Sequence, residues 1–215
     1  MNLKRALGAL TLVTLASGLV LAQSPSTLKI AHTTESKTVT KTKNPSAVRL
    51  LWSNLGPSPT DAYNGTTGYY ILGPNNSVGY SEQYIAVPFT PKVNETASVL
   101  QVAVQWETGT NEFIVGIYAD NGSGAPGTLL ASGEGKNAPA FGSCCQTVNV
   151  SIPSTSLSQG SRYWVGVSAD DTNAPDFTGV FVASNLAVIG YDEAQAGWGS
   201  FTTNTPAAAV WGAVD

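Results

Sequence analysis

Three groups of side chains in this chain have the types and spacing to do chemistry. The stretch "DDTNAPDFTG" (170–179) sets Asp170, Asp171, Asn173 and Asp176 within seven residues. Calcium is a hard cation that takes about 6–8 oxygens, and a compact acidic loop can offer several of them. The spacing does not follow the EF-hand pattern, and Asp and Asn are also ordinary turn formers. Two readings stand: a structural Ca2+ site, or plain turn chemistry with no cofactor.

The second group is Cys144 and Cys145, the only cysteines and immediate neighbours, in "GSCCQ". Residues joined by a trans peptide have Cα atoms about 3.8 Å apart, whereas a disulfide prefers about 4.4–6.8 Å. A bond between Cys144 and Cys145 is therefore strained, although an oxidising compartment favours it. Such a ring would clip the Gly/Pro-rich loop 133–143 where it enters the strand "QTVNVSI". The alternatives are a ligand-contact knob, or redox-active or intermolecular pairing.

The third group is aromatic and emerges from alternation, since successive side chains of a strand point to opposite faces. In "RYWVGVSA", Tyr163, Val165 and Val167 make one face and Trp164 lies on the other with Gly166 and Ser168. In the strand over 112–119, Phe113, Val115 and Ile117 point inward, leaving Ile114 and Tyr118 outward. Trp164 and Tyr118 could thus offer a flat platform for a sugar ring, or be covered by a loop. Trp198, among glycines in "AGWGSF", is a comparable platform. In "SVLQVAVQWE", Leu100, Val102, Val104 and Trp106 form the expected core face.

Missing residue types narrow the chemistry. His32 is the sole histidine and precedes the domain, so the domain lacks a Ser-His-Asp triad, a Cys-His pair and a His-based zinc site. No phosphate-binding Gly-rich loop with its lysine and no Gly-x-Ser-x-Gly elbow occurs. A glycosidase needs two carboxyl groups about 5–10 Å apart across a cleft. Glu107 and Glu112 flank a turn, and their odd separation argues against one shared groove. No catalytic residue is therefore assigned, and a carboxylate glycoside hydrolase is the least favoured alternative.

The elements positioning these groups are short alternating runs separated by Gly, Pro, Asn and Asp, the texture of an all-β sandwich. Strands are expected over 48–53, 68–72, 82–89, 98–107, 112–119, 127–132, 146–152, 162–169 and 178–184, with a weaker pair near 199–203 and 209–213. No segment sustains a helical period for three turns.

Ahead of this domain, residues 1–22 read as a secretory signal peptide: Lys4 and Arg5, an apolar run, then Val20-Leu21-Ala22. Residues 23–46 are rich in Ser, Thr and Lys and read as a linker, although "LKIAH" and "KTVTK" alternate well enough to add an edge strand. Residues 47–215 form the sandwich. The expected product is secreted, extracellular or periplasmic, with no membrane span in the mature chain. Residues 50–215 carry three cations against 13 acids, a net charge of −10. That sign repels phosphate backbones and disfavours nucleic acid as a partner. Asn64, Asn75, Asn94, Asn121 and Asn149 head N-x-S/T sequons, which such Asn/Ser/Thr-rich strands generate by chance.

The segments "VGIYADNGSGAPGTLLAS", the Cys144-Cys145 pair, "LSQGSRYWVGV" and "NAPDFTG" resemble a secreted bacterial jelly-roll family similar to choice-of-anchor and carbohydrate-binding-module-like domains. They span roughly residues 80–185. The resemblance implies a two-sheet jelly-roll-like β-sandwich beside other extracellular material, and it transfers no catalytic residue. The expectation is a non-catalytic binder of an extracellular ligand such as glycan. The alternative is a structural module of the cell envelope or matrix.

Overall fold

The computed structural model describes residues 48–55, 63–143, 146–194 and 197–214. The segments read as signal peptide (1–22) and linker (23–46), and Cys144 and Cys145, lie outside them. The described chain is all-β with antiparallel sheets. Its strands are β1 (Arg49–Ser53), β2 (Tyr63–Leu72), β3 (Tyr84–Phe89), β4 (Glu95–Val102), β5 (Val104–Thr108) and β6 (Glu112–Asp120). There follow β7 (Pro126–Lys136), β8 (Val148–Leu157), β9 (Tyr163–Ala169), β10 (Thr178–Ala194), β11 (Gly197–Pro206) and β12 (Ala208–Val214). Turn residues at the expected places separate them, with positive φ at Gly79, Gly109, Gly122, Gly124, Gly142 and Gly160.

Two sheets face each other as a β-sandwich. One has the order β1-β12-β4-β8 and the other β11-β10-β3-β9-β6-β7. The inner faces meet in a core of Ile85, Val87, Phe113, Val115, Ile117, Val165 and Val167 from the larger sheet. Leu100, Val102, Val150, Ala208 and Val210 come from the smaller. These are the positions that alternation assigns inward, because only one face of each strand can leave water. Trp52 packs on Phe89 at 5.3 Å between ring centroids, and Phe89 on Tyr163 at 5.9 Å. Strands β7 and β8 close one side so tightly that a Cβ on Gly133 would collide with the Ser151 carbonyl oxygen.

At the other side the layers exchange strands. The expected strand 98–107 breaks at Ala103, where β4 turns out of the small sheet and continues as β5 beside the first half of β10. Three backbone bonds hold this corner: Ala103 N–H to Ala207 O (3.0 Å), Val182 N–H to Ala103 O (2.9 Å) and Ala207 N–H to Val182 O (2.8 Å). Around it Leu55, Ala103, Val180, Val182, Ala207 and Ala209 form a second apolar cluster. The buried Asn54 amide ties β1 to the β11–β12 junction, donating to Thr205 Oγ1 and Pro206 O and accepting from Ala208 N–H. Trp106 is only half buried, at the edge of the core rather than within it, with its indole N–H given to Gly109 O. Strand β10 is 17 residues long and pairs with β2 and β5 in its first half and with β3 and β11 in its second.

Candidate functional site

The outward aromatics do not form an open platform. Trp164 is 0% exposed and Tyr118 5%, and both belong to a cluster with Ala86 on the outer face of the large sheet. Leu129 and the half-buried Trp198 pack against it. Alternation placed Trp164 and Tyr118 on the correct face, but it does not register that the face is covered. Two glycines explain the depth of the cover. Gly116 and Gly166 are cross-strand partners on β6 and β9; a Cβ on Gly166 would meet the Tyr118 ring at 2.6 Å, and one on Gly116 would meet Leu129 Cδ1 at 2.7 Å and the Tyr118 ring at 3.3 Å. The Trp164 indole N–H donates to Asp120 Oδ2 at 3.1 Å. Trp164 and Tyr118 are thus packed within this cluster, the covered alternative, and offer no open stacking surface.

The acidic loop also resolves into separate tasks. Asp170 is 1% exposed; its Oδ1 accepts from the Thr172 and Asn173 N–H groups and its Oδ2 from the Asn173 amide. Asp171 accepts from the Tyr84 hydroxyl at 3.2 Å. Asp176 reaches the β5–β6 turn, where its Oδ1 accepts from Thr110 N–H at 3.1 Å. That backbone bond, with the Thr110 side chain, holds the Asp176 carboxyl below the usual range against the effect of burial. The expected calcium ligands therefore do not converge. Among the described residues, no group of three or more His, Cys, Asp or Glu is placed to hold a metal. Trp164 and Asp170 stand six residues apart along β9 and its exit, about 20 Å at the rise of a strand, so Trp164 and the loop are not one site.

Tyr84 sits between two carboxylates, since Glu82 Oε1 is a second partner of its hydroxyl. Burial, then Glu82, then Asp171, raise the phenol far above its ordinary value and keep it protonated. Glu112 pairs with Lys136 at 3.2 Å across β6 and β7, and Lys136 also meets Glu134. Glu107 is exposed on the preceding strand. The loop leading to Cys144 and Cys145 is anchored by Gln105, which is wholly buried. Its Oε1 accepts from Gly142 N–H at 2.9 Å and its Nε2 donates to Ser143 O at 2.6 Å.

An open concavity lies elsewhere, on the outer face of the small sheet. Val48, Val99, Gln101, Asn149 and Trp211 line a shallow groove of about 260 Å³. Register builds it: Trp211 on β12 stands between Leu50 on β1 and Val99 on β4, while Gln101 on β4 stands beside Asn149 on β8. Trp211 rests one side on the second apolar cluster. Its indole N–H donates to Gln101 Oε1 at 2.9 Å, and Gln101 Nε2 donates to Thr147 Oγ1 at 2.8 Å. A relay of three residues thus fixes the ring's tilt and leaves an aromatic surface toward the groove. None of the five lining side chains is charged.

No family model matches this chain. No curated protein matches it either.

Trp211 was not among the sequence candidates. The signal existed, because in "AAAVWGAV" alternation puts Ala208 and Val210 inward and Trp211 outward, as the buried Ala208 and Val210 bear out. The difference between Trp211 and Trp164 is cover. Residues across one strand pair do not encode it.

Proposed function

We propose that this protein is a secreted, non-catalytic β-sandwich that binds a neutral glycan across the outer face of its four-stranded sheet. The observation that carries the reading is Trp211, half-buried at an uncharged groove with its ring held by Gln101 and Thr147. An aromatic ring offers apolar area with little rotamer freedom to lose, while its polar edge is occupied elsewhere. A pyranose presents a matching apolar face of C–H groups and a rim of hydroxyls. The exposed Asn149 amide, at the far side of the groove, supplies one acceptor and two donors for that rim. An uncharged lining on a domain of net charge −10 favours a neutral ring over uronic or sialic acids. The secretory pattern of residues 1–22 supports an extracellular ligand.

The test is retention of the wild-type protein on an array of neutral and acidic polysaccharides, beside Trp211→Ala and Asn149→Ala. Wild type is expected to bind a neutral polymer and both variants to lose at least tenfold in affinity. Binding by no glycan, or equal binding by all three proteins, defeats the reading.

A further inference from the structure

The five residues lining the Trp211 groove come from the whole width of the small sheet: Val48 leads into β1, Trp211 is on β12, Val99 and Gln101 are on β4, and Asn149 is on β8. The concavity therefore runs across the strands. Register draws the same line along its floor. Leu50 pairs with Trp211, Trp211 with Val99 and Val99 with Ser151, and cross-strand partners share a face. The chemistry is graded along this line. Leu50 is 48% exposed at one end, Trp211 and Val99 are half-buried in the middle, and Ser151 with the neighbouring Asn149 is exposed at the other. None of these residues is charged.

Neighbouring strands lie about 4.7–4.9 Å apart, and each pyranose of an extended chain advances by close to that distance. We propose that the groove takes the interior of a single, unaggregated neutral polysaccharide chain, laid across the sheet with one ring to each strand and one of them stacked on Trp211. This rests on the glycan reading above and adds the form in which the polymer is recognised. A shallow groove touches one face of each ring, so a lone sugar gains little area against the loss of its translational and rotational freedom. That cost falls once per chain, whereas contact grows with every ring. Apolar C–H faces meet Leu50, Trp211 and Val99, and hydroxyls of the last ring meet Ser151 and Asn149, which offer donors and acceptors. Among the described residues the line ends on exposed side chains rather than walls, which suits a chain continuing past both ends. Sheet twist selects the physical state of the polymer. Adjacent strands rotate by about 20–25°, so the outward direction turns through about 60–75° over the three steps from Leu50 to Ser151. A free chain follows that turn by small torsional changes at each linkage, and the flat face of a crystalline fibre cannot.

Titration calorimetry with cello-, manno- and xylo-oligosaccharides of one to six rings tests this, beside retention on microcrystalline cellulose. In at least one series, affinity is expected to rise at least tenfold from disaccharide to tetrasaccharide and to change little beyond. Leu50→Ser and Ser151→Ala, both at exposed positions, should each weaken tetrasaccharide binding at least threefold and leave the disaccharide unchanged, which also shows that the variants are folded. Equal affinity for disaccharide and tetrasaccharide overturns the inference, and so does a tetrasaccharide indifferent to both variants. So does silence in all three series from a protein that the polysaccharide array retains; in each of these cases the glycan reading stands. Retention on microcrystalline cellulose that survives excess cellohexaose overturns the single-chain form. Binding to no glycan on the array defeats the glycan reading itself, and this inference with it.

Discussion

The Tyr118 ring lies across the backbone of Gly166, where a Cβ would stand 2.6 Å from Tyr118 Cε2 and 3.2 Å from Cδ2. A glycine in a strand interior costs conformational entropy, and here the aromatic ring fills the space that the missing side chain leaves. Gly166→Ala must push that ring off its seat against Leu129 and Trp164. The expected cost is about 1–3 kcal/mol, the range for overpacking a filled site. Urea unfolding would measure it, and in a Tyr118→Ala background the same change should cost much less, because the ring it displaces is gone.

Gln105 satisfies both a donor and an acceptor of the loop before Cys144 from a fully buried position. Gln105→Leu keeps the volume but orphans Gly142 N–H and Ser143 O, at about 1–3 kcal/mol. Besides a lower melting temperature, the variant should show faster protease cleavage around Phe141. Unchanged cleavage would mean that the cysteines, rather than Gln105, hold the loop.

Asp120 joins the Trp164 indole to the β6–β7 turn. Burial raises its carboxyl, but hydrogen bonds from Gly122 N–H, the Trp164 indole and Gly124 N–H, together with the Arg162 charge, outweigh this and hold it below the usual range. A group whose folded pKa is depressed adds stability above its unfolded value, about 3.9 for Asp, and that stability is lost as pH falls through the folded pKa. Asp120→Asn should therefore be less stable than wild type at neutral pH, with the gap closing below about pH 4. A constant gap between pH 3 and 7 would show that the bonds matter and the charge does not.

Asp170 spends both carboxylate oxygens on its own loop. Asp170→Ala is expected to cost about 1–3 kcal/mol through the freed Thr172 and Asn173 N–H groups. Because Asp171 and Asp176 face other elements, millimolar calcium or EDTA should leave the wild-type melting temperature unchanged. A calcium-dependent rise would mean that the loop rearranges around a cation.

Strand positions were legible where turn residues bracket an alternating run. Strands β6 and β9 fall within a residue of the expected spans, since Gly and Asn punctuate the chain on either side of them. The reading failed at Ala103, where nothing local marks a corner: the chain bends there because Ala207 and Val182, far away in sequence, bond its backbone. It failed also in lengths, β10 running to 17 residues because β11 and β3 extend its ladder.

What the order of residues by itself determined is the class of structure and which way each side chain points, because a period of two is a property of the strand. Trp164 and Trp211 are alike at that level: alternation sets both outward. Only the folded molecule separates them, by laying Tyr118, Leu129 and Trp198 around one and leaving a groove beside the other. Solvent access is set by elements remote in the chain, and so the candidate site was decided by packing between strands rather than by the pattern within any of them.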